Sequence, residues 1–157
     1  MTPAHVPNDQ VFVAWISTIA DFTADGVGTL LPEDTSAWSA NGYVVVPVTV
    51  GGTPHSTMPM RRPVGQVDCR AVSPGTEFPP WGKAADLAEQ IRFATYDRNN
   101  FGRPLTVTVG GNPFPDVMVR SAKILTEPHR MYADGADYAG YSFDLALQWV
   151  QVGEVVR

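Results

Sequence analysis

The period of the hydrophobic residues changes along this chain, and the changes mark its elements. Phe12, Trp15, Ile16 and Ile19 recur at helical spacing, which predicts an amphipathic helix from Asp9 to about Phe22. Asn8 or Asp9 is its expected cap, with acidic charge well placed in the first turn. Asp25-Gly26 predicts a turn, and Val27 to Leu31 a short strand stopped by Pro32. Asp34 is placed to cap a single helical turn through Trp38, closed at Asn41-Gly42. Tyr43 to Val50 is rich in Val and reads as a strand, broken by Gly51-Gly52. From Val64 to Val72 the chain alternates. Val67, Cys69 and Ala71 mark a buried face, and Gln66, Asp68 and Arg70 a solvated one.

Trp81 to about Tyr96 predicts a second helix with Ala84, Leu87, Ala88 and Ile91 as its inner stripe. The small Ala residues allow close approach to a sheet. Asn99-Asn100-Phe101-Gly102 ends it. Leu105 to Val109 predicts a strand, Gly110-Gly111-Asn112-Pro113 a turn, and Asp116 to Leu125 the hairpin partner. Then Tyr141, Phe143, Leu145, Leu147 and Trp149 alternate as a last, half-buried strand. Chain ends fray unless tied down. A strand this apolar at a terminus must therefore close the core or an interface.

The order of helix, strands, helix, strands predicts an α+β fold. Residues 1–157 form a single compact domain, a mostly antiparallel β-sheet with two main helices packed on it. Residues 1–7 form a loose N-terminus, 51–63 an extended loop and 153–157 a C-terminal tail. Val-Thr-Val-Gly-Gly-(Thr/Asn)-Pro occurs from Val48 and again from Val107. The flanks do not match, so two strands ending in similar glycine turns is the preferred reading over duplication.

At 157 residues and 44% hydrophobic content, one real core is expected. Charged residues make up only 17%, below the usual ~25%, which favours an oligomer or a larger assembly. The net charge is −5 and no basic run exists, which argues against a dedicated duplex-binding surface. The first apolar stretch is short and carries Asp9 and Asp21, and no stretch approaches the ~20 apolar residues of a membrane span. The expectation is a soluble product of a cytoplasm.

Catalytic chemistry finds little support. Cys69 with His55 or His129 is conceivable as a nucleophile and base, but Cys69 lies on the apolar phase of its strand, where a thiol behaves as a small hydrophobe. His5, His55 and His129 are far apart and lack metal-ligand spacing. Gly82-Lys83 is followed by Ala84, so no phosphate loop forms there. Asp134, Asp137 and Asp144 lack the alternating acids of a calcium loop. No catalytic residue, metal or cofactor is expected.

Interaction surfaces are the better prospect. The loop 51–63 holds two Met, two Arg and three Pro, and loops this long are usually functional or disordered. Met58, Met60, Arg61 and Arg62 are the first interface candidates, since Met and Arg are enriched at interface cores. Phe114-Pro115, at the expected tip of the late hairpin, comes second. Trp149 and the tail from Val152 to Val156 come third. Trp81, after Pro79-Pro80, is expected to pack down on the sheet.

Arg61-Arg62-Pro63-Val64-Gly65-Gln66-Val67-Asp68-Cys69, then Pro79-Pro80-Trp81-Gly82-Lys83-Ala84 with Leu87-Ala88-Glu89-Gln90-Ile91, then Glu127-Pro128 and the aromatic last strand, resemble the tail terminator proteins of long-tailed actinobacterial phages. The likeness runs from the first helix to Val152, and its motifs are structural. It implies a virion protein at the tail–neck junction. Such a subunit forms a hexameric ring with itself, caps the tail tube protein, ends its polymerisation and docks the head–tail stopper or connector proteins. DNA passes through the lumen without specific binding. Three other readings stay open: another neck component such as a head–tail stopper or a tube-related protein, a small cellular α+β binding domain, and an enzyme built on Cys69.

Overall fold

The computed structural model describes residues 5–19, 22, 24–53, 56–76, 78–131 and 137–152. The fold is α+β. Its helices are α1 (Asn8–Ile16) and α2 (Trp81–Ala94). Its strands are β1 (Val27–Gly28), β2 (Tyr43–Val50), β3 (Val64–Val72), β4 (Pro104–Leu105), β5 (Thr108–Val109), β6 (Asn112–Pro113), β7 (Val117–Ile124), β8 (His129–Arg130) and β9 (Tyr138–Gln151).

Among the described residues, the main sheet has seven strands in the order β1-β2-β3-β9-β7-β4, with β8 also on β9. Only β1 runs parallel to its neighbour. The strand predicted from the closing residues is thus the middle of the sheet. Its first half lies between β3 and β8, and its second half meets β7. Its inward phase, Phe143, Leu145, Leu147 and Trp149, is fully buried. Those side chains join Val67 and Cys69 of β3, Val11, Phe12, Trp15 and Ile16 of α1, and Leu87, Ala88 and Ile91 of α2 in one core. The predicted inner stripe of α2 is the buried one. On the opposite face a second, smaller cluster covers one corner: Trp38, Tyr43, Val45 and Val72, with Leu31 and Tyr138.

β2 and β3 have the predicted bounds, and Asp34 caps the predicted single turn by accepting from the Ser36 N–H. Other expectations change. α1 stops at Ile16 because Ser17 and Thr18 turn their hydroxyls back onto the carbonyls of Ala14 and Trp15. Neither Asn8 nor Asp9 caps it. Pro7 precedes the helix without a side-chain cap, and the Asn8 amide oxygen instead accepts from Trp149 Nε1–H at 3.0 Å. The short strand after Asp25-Gly26 is only Val27–Gly28.

The late hairpin is rearranged. Thr108–Val109 pairs with Asn112–Pro113 around Gly110-Gly111, whose φ values of 58° and 80° suit a two-residue hairpin turn. β7 keeps part of the predicted pairing, with Pro104–Leu105 of β4 against Met118 and Val117, and its other edge pairs with β9. The Val-Thr-Val-Gly-Gly repeat therefore builds two different objects, a two-stranded clip and the end of a long strand.

Asp68 is not solvated. It is buried and accepts from Ser142 Oγ at 2.8 Å and Gln66 Nε2 at 3.0 Å. Arg70, on the same face, lies across Gly140, where any side chain would meet its Cδ.

Gly65 tests the packing of α1 on the sheet. A Cβ there would sit 2.9 Å from the Phe12 ring, which is itself fully buried. Gly65→Ala should cost about 1–3 kcal/mol in urea unfolding, the usual range for overpacking a core. Gly51→Ala meets nothing within 4 Å and should change stability by less than about 0.5 kcal/mol.

Candidate assembly surfaces

The β2–β3 hairpin outgrows the body of the sheet. The register runs Val45↔Asp68 and then Val48↔Gln66, so Val46 and Pro47 together oppose Val67 in a bulge. Proline is tolerated at such a site because no ladder donor is needed there. β1 covers only Val44 and Val45. Beyond the bulge the outer edge of β2 has no strand beside it among the described residues, and Val48 and Val50 are 54% and 57% exposed. The free part of the β7 edge carries a register shift near Arg120 and the exposed side chains of Arg120 and Lys123. Bulges and charges of this kind deter edge pairing. The β2 edge has neither cation nor anion.

The hairpin narrows at Gly52, which has φ 69°, because any Cβ there would collide with the carbonyl of Arg62. Arg62 Nε returns to the Thr53 carbonyl at 2.9 Å. The predicted loop 51–63 is shorter than expected, since Arg61 to Pro63 lie along β9. Arg61 and Trp149 exchange backbone hydrogen bonds of 2.8 and 3.0 Å, and Pro63 O accepts from Leu147 N–H. The Arg61↔Trp149 pair continues the Val64↔Ala146 register, and the gap between them follows from Pro63 having no N–H. Met58 is 51% exposed, Met60 is half-buried, and Arg61 is exposed with its guanidinium 5.6 Å from the Trp149 ring centroid. The chain has no Asp or Glu between Asp34 and Asp68, so this arm is locally basic in an acidic protein.

The other two interface candidates are placed elsewhere. Trp149 is a core residue, its ring buried and its N–H satisfied by Asn8, so it offers no docking surface. Its strand is central rather than a loose end. Phe114 is not at a hairpin tip, which is Gly110-Gly111. It is half-buried against the main core, and its N–H bonds to Val107 O at 2.8 Å. His55, Asp134 and the tail 153–157 lie outside the described residues. Trp81 packs down as expected, edge-on to Tyr141 and 4.5 Å beneath the Arg130 guanidinium.

A surface not anticipated from the sequence lies along α2. Phe93 and Tyr96 are 65% and 69% exposed. Phe93 edges an open groove of about 460 Å³ lined also by Asp86, Glu89, Gln90, Ala94, Asp97 and Asn100. Arg92 answers part of this charge, bonding Glu89 at 3.2 Å and standing 4.0 Å from Glu127, and Glu89 first, then Glu127, hold its guanidinium more firmly protonated. Asp97 caps the turn that follows, accepting from Asn99 N–H. The signal was available: Phe93 lies roughly 200° around the helix from Ile91, off the inner stripe.

The side chains that hinted at catalysis are dispersed. Cys69 is fully buried; burial, with the Asp68 charge adding, pushes its thiol well above the ordinary value. His129 pairs with Ser142, on the sheet face opposite to Cys69, and its Nδ1 lies 3.3 Å from Glu127 O. Among the described residues no three His, Cys, Asp or Glu side chains gather as a metal site would require, and no helix is long and apolar enough to cross a membrane.

No family model matches the chain, and no curated protein matches it. Among solved structures, a chain from the virion of a native gene transfer agent particle is similar, with 12% identity and a TM-score of 0.49 over 87% of this chain and 83% of that one.

Two measurements check the state of Cys69. A thiol reagent should leave the native protein unlabelled and modify it only in denaturant. The raised native pKa also sets a sign. The unfolded chain loses this proton near pH 9.0 while the folded one keeps it, so stability is full below that pH and falls above it. Cys69→Ala should remove that share of the alkaline slope in urea titrations.

Proposed function

We propose that this chain is a structural protein of a tailed-phage-like virion, and that it forms a ring closing the tail tube. Copies of the chain, six by the resemblance in sequence, cap the tube, end addition of tube protein and present a surface to the head–tail joining proteins. The observation that carries this reading is the β2–β3 arm. It is built stiffly, through the Gly52 closure and the Arg61–Trp149 pairing, yet Val48, Val50 and Met58 stand more than half exposed along it. A lone subunit gains nothing from a rigid apolar extension, whereas an assembling subunit does. The low charge content of 17% points the same way.

The work assigned here needs no bond-making chemistry. Termination is a competition of interfaces, in which the cap occupies the contact that the next tube ring would make. A net charge of −5 suits a conduit that lets DNA pass without holding its phosphates.

Light scattering and negative-stain imaging of the native protein, alone and with preformed tail tubes, test the proposal. The expected result is a discrete ring near six subunits, or a cap at one tube end that stops further growth. Long filaments of the protein alone would make it a tube component. A 17.0 kDa monomer that ignores tubes would overturn the reading.

A further inference from the structure

The arm and the α2 groove differ in every respect that matters for contact. The arm is apolar at Val48, Val50 and Met58, carries Arg61 and Arg62 at its base, and has no acid. The groove sets exposed Phe93 among Asp86, Glu89 and Asp97. The two do not cover each other within one subunit, since Val48, Val50, Met58 and Phe93 are each more than half exposed. Arg61 is paired with Trp149, which is tied to Asn8 at the start of α1. Asn100, in the groove wall, is tied through its carbonyl to Trp15 near the end of α1. Asn8 and Trp15 are seven residues apart on α1, so the two anchor points lie roughly 10 Å apart along the helix at 1.5 Å per residue.

We propose that the β2–β3 arm of one copy docks into the α2 groove of the next copy. A hairpin seated in a groove presents both its faces. Val48 and Val50, on the Val64 face, cover Phe93 with Met58, and Arg61, on the opposite face over Trp149, reaches with Arg62 toward the rim acids Asp86 and Glu89. The occupant is a second copy because this chain itself carries both halves of a complementary pair. Opposite charge selects the partner patch and steers the encounter, while the apolar residues supply the burial. Two unlike patches make a head-to-tail contact, which closes into a ring or continues as a filament. A self-complementary dimer would instead need arm to meet arm. The inference rests on the assembly reading above, but names a contact that the reading does not require.

Cross-linking decides it. The only native thiol, Cys69, is buried, so introduced cysteines report cleanly. Met58→Cys protein and Phe93→Cys protein are mixed under assembling conditions, or on tube tips, and treated with a short bismaleimide. Both positions are exposed, so both variants should fold. The expected result is a covalent dimer in the mixture and none in either variant alone. Arg61→Glu with Arg62→Glu in the Met58→Cys protein should abolish the product. Asp86→Arg with Glu89→Arg in its Phe93→Cys partner should restore it, a rescue that misfolding could not produce. Dimer from Met58→Cys alone, or none in the mixture, overturns the docking. Run beside the tube assay, capping without the cross-link sinks the docking and spares the ring. The cross-link without capping spares the docking and sinks the tail role.

Discussion

The fold depends on one long-range pairing, that of β3 with β9. Val64 to Val72 finds Ala146 to Tyr138 in unbroken antiparallel register across about half the chain length. No local turn prepares it, so the entropy of closing a long loop must be met before any ladder bond forms. What offsets that cost is the apolar phase of β9, from Phe143 to Trp149, which is buried against both helices. The pairing runs past the formal end of β3 to Arg61↔Trp149, and there three parts of the chain are joined. The Trp149 ring is in the core, its N–H bonds to Asn8, and its backbone holds Arg61. The base of the arm, the start of α1 and the central strand therefore move as one body. A buried donor left without its acceptor costs about 1–3 kcal/mol, which makes the Asn8 contact a strong lock for so small a group.

That lock explains which parts of the fold were legible in the sequence. Strands whose faces see different solvents announce themselves by period. β3 and the last strand do so, the inner stripe of α2 does so at helical spacing, and β2 shows instead as a Val-rich run. Errors arose where a polar group serves a distant partner. Asn8 reads as a cap, yet its side chain is taken by a residue near the other end of the chain. Asp68 sits on the polar phase of β3 and reads as solvated, yet Ser142 and Gln66 satisfy it within the structure. Local pattern carries no information about such partners.

The late hairpin forms in part, since β4 pairs with the start of β7, and it departs from the pattern for a related reason. Val107-Thr108-Val109-Gly110-Gly111 has correct turn chemistry, and the turn forms, but the clip it closes is two residues long on each side. β7 has the length and apolar phase to join β9, and a central strand offers more burial than a hairpin neighbour. Trp149 follows the same logic, since its place near the end of the sequence suggests a contact surface and its place in the sheet is a buried middle. The arm loop stands out in the sequence as an oddity of composition, because Met, Arg and Pro have no period to be confused with, but its last three residues lie along β9. Phe93 and Tyr96 lie off the inner stripe of α2, and an exposed aromatic shows in the sequence only as an absence from that stripe.

Edge protection gives the surface its direction. A sheet with two open edges is a hazard, because either edge can recruit a strand from another chain. Here β7 is guarded by a bulge and by Arg120 and Lys123, whereas Val48-Thr49-Val50 on β2 is bare and β-branched. Indiscriminate aggregation would follow if that bare edge were flat and continuous. The Pro47 bulge breaks its line with the body of the sheet, β1 blocks its root, and the arginines at its base repel a second copy of the same arm. What remains is a short apolar edge beside arginines, the surface that the proposed docking uses. Under the proposed ring reading, in which a subunit joins neighbours in one sense and then stops, polarity of this sort matters more than affinity.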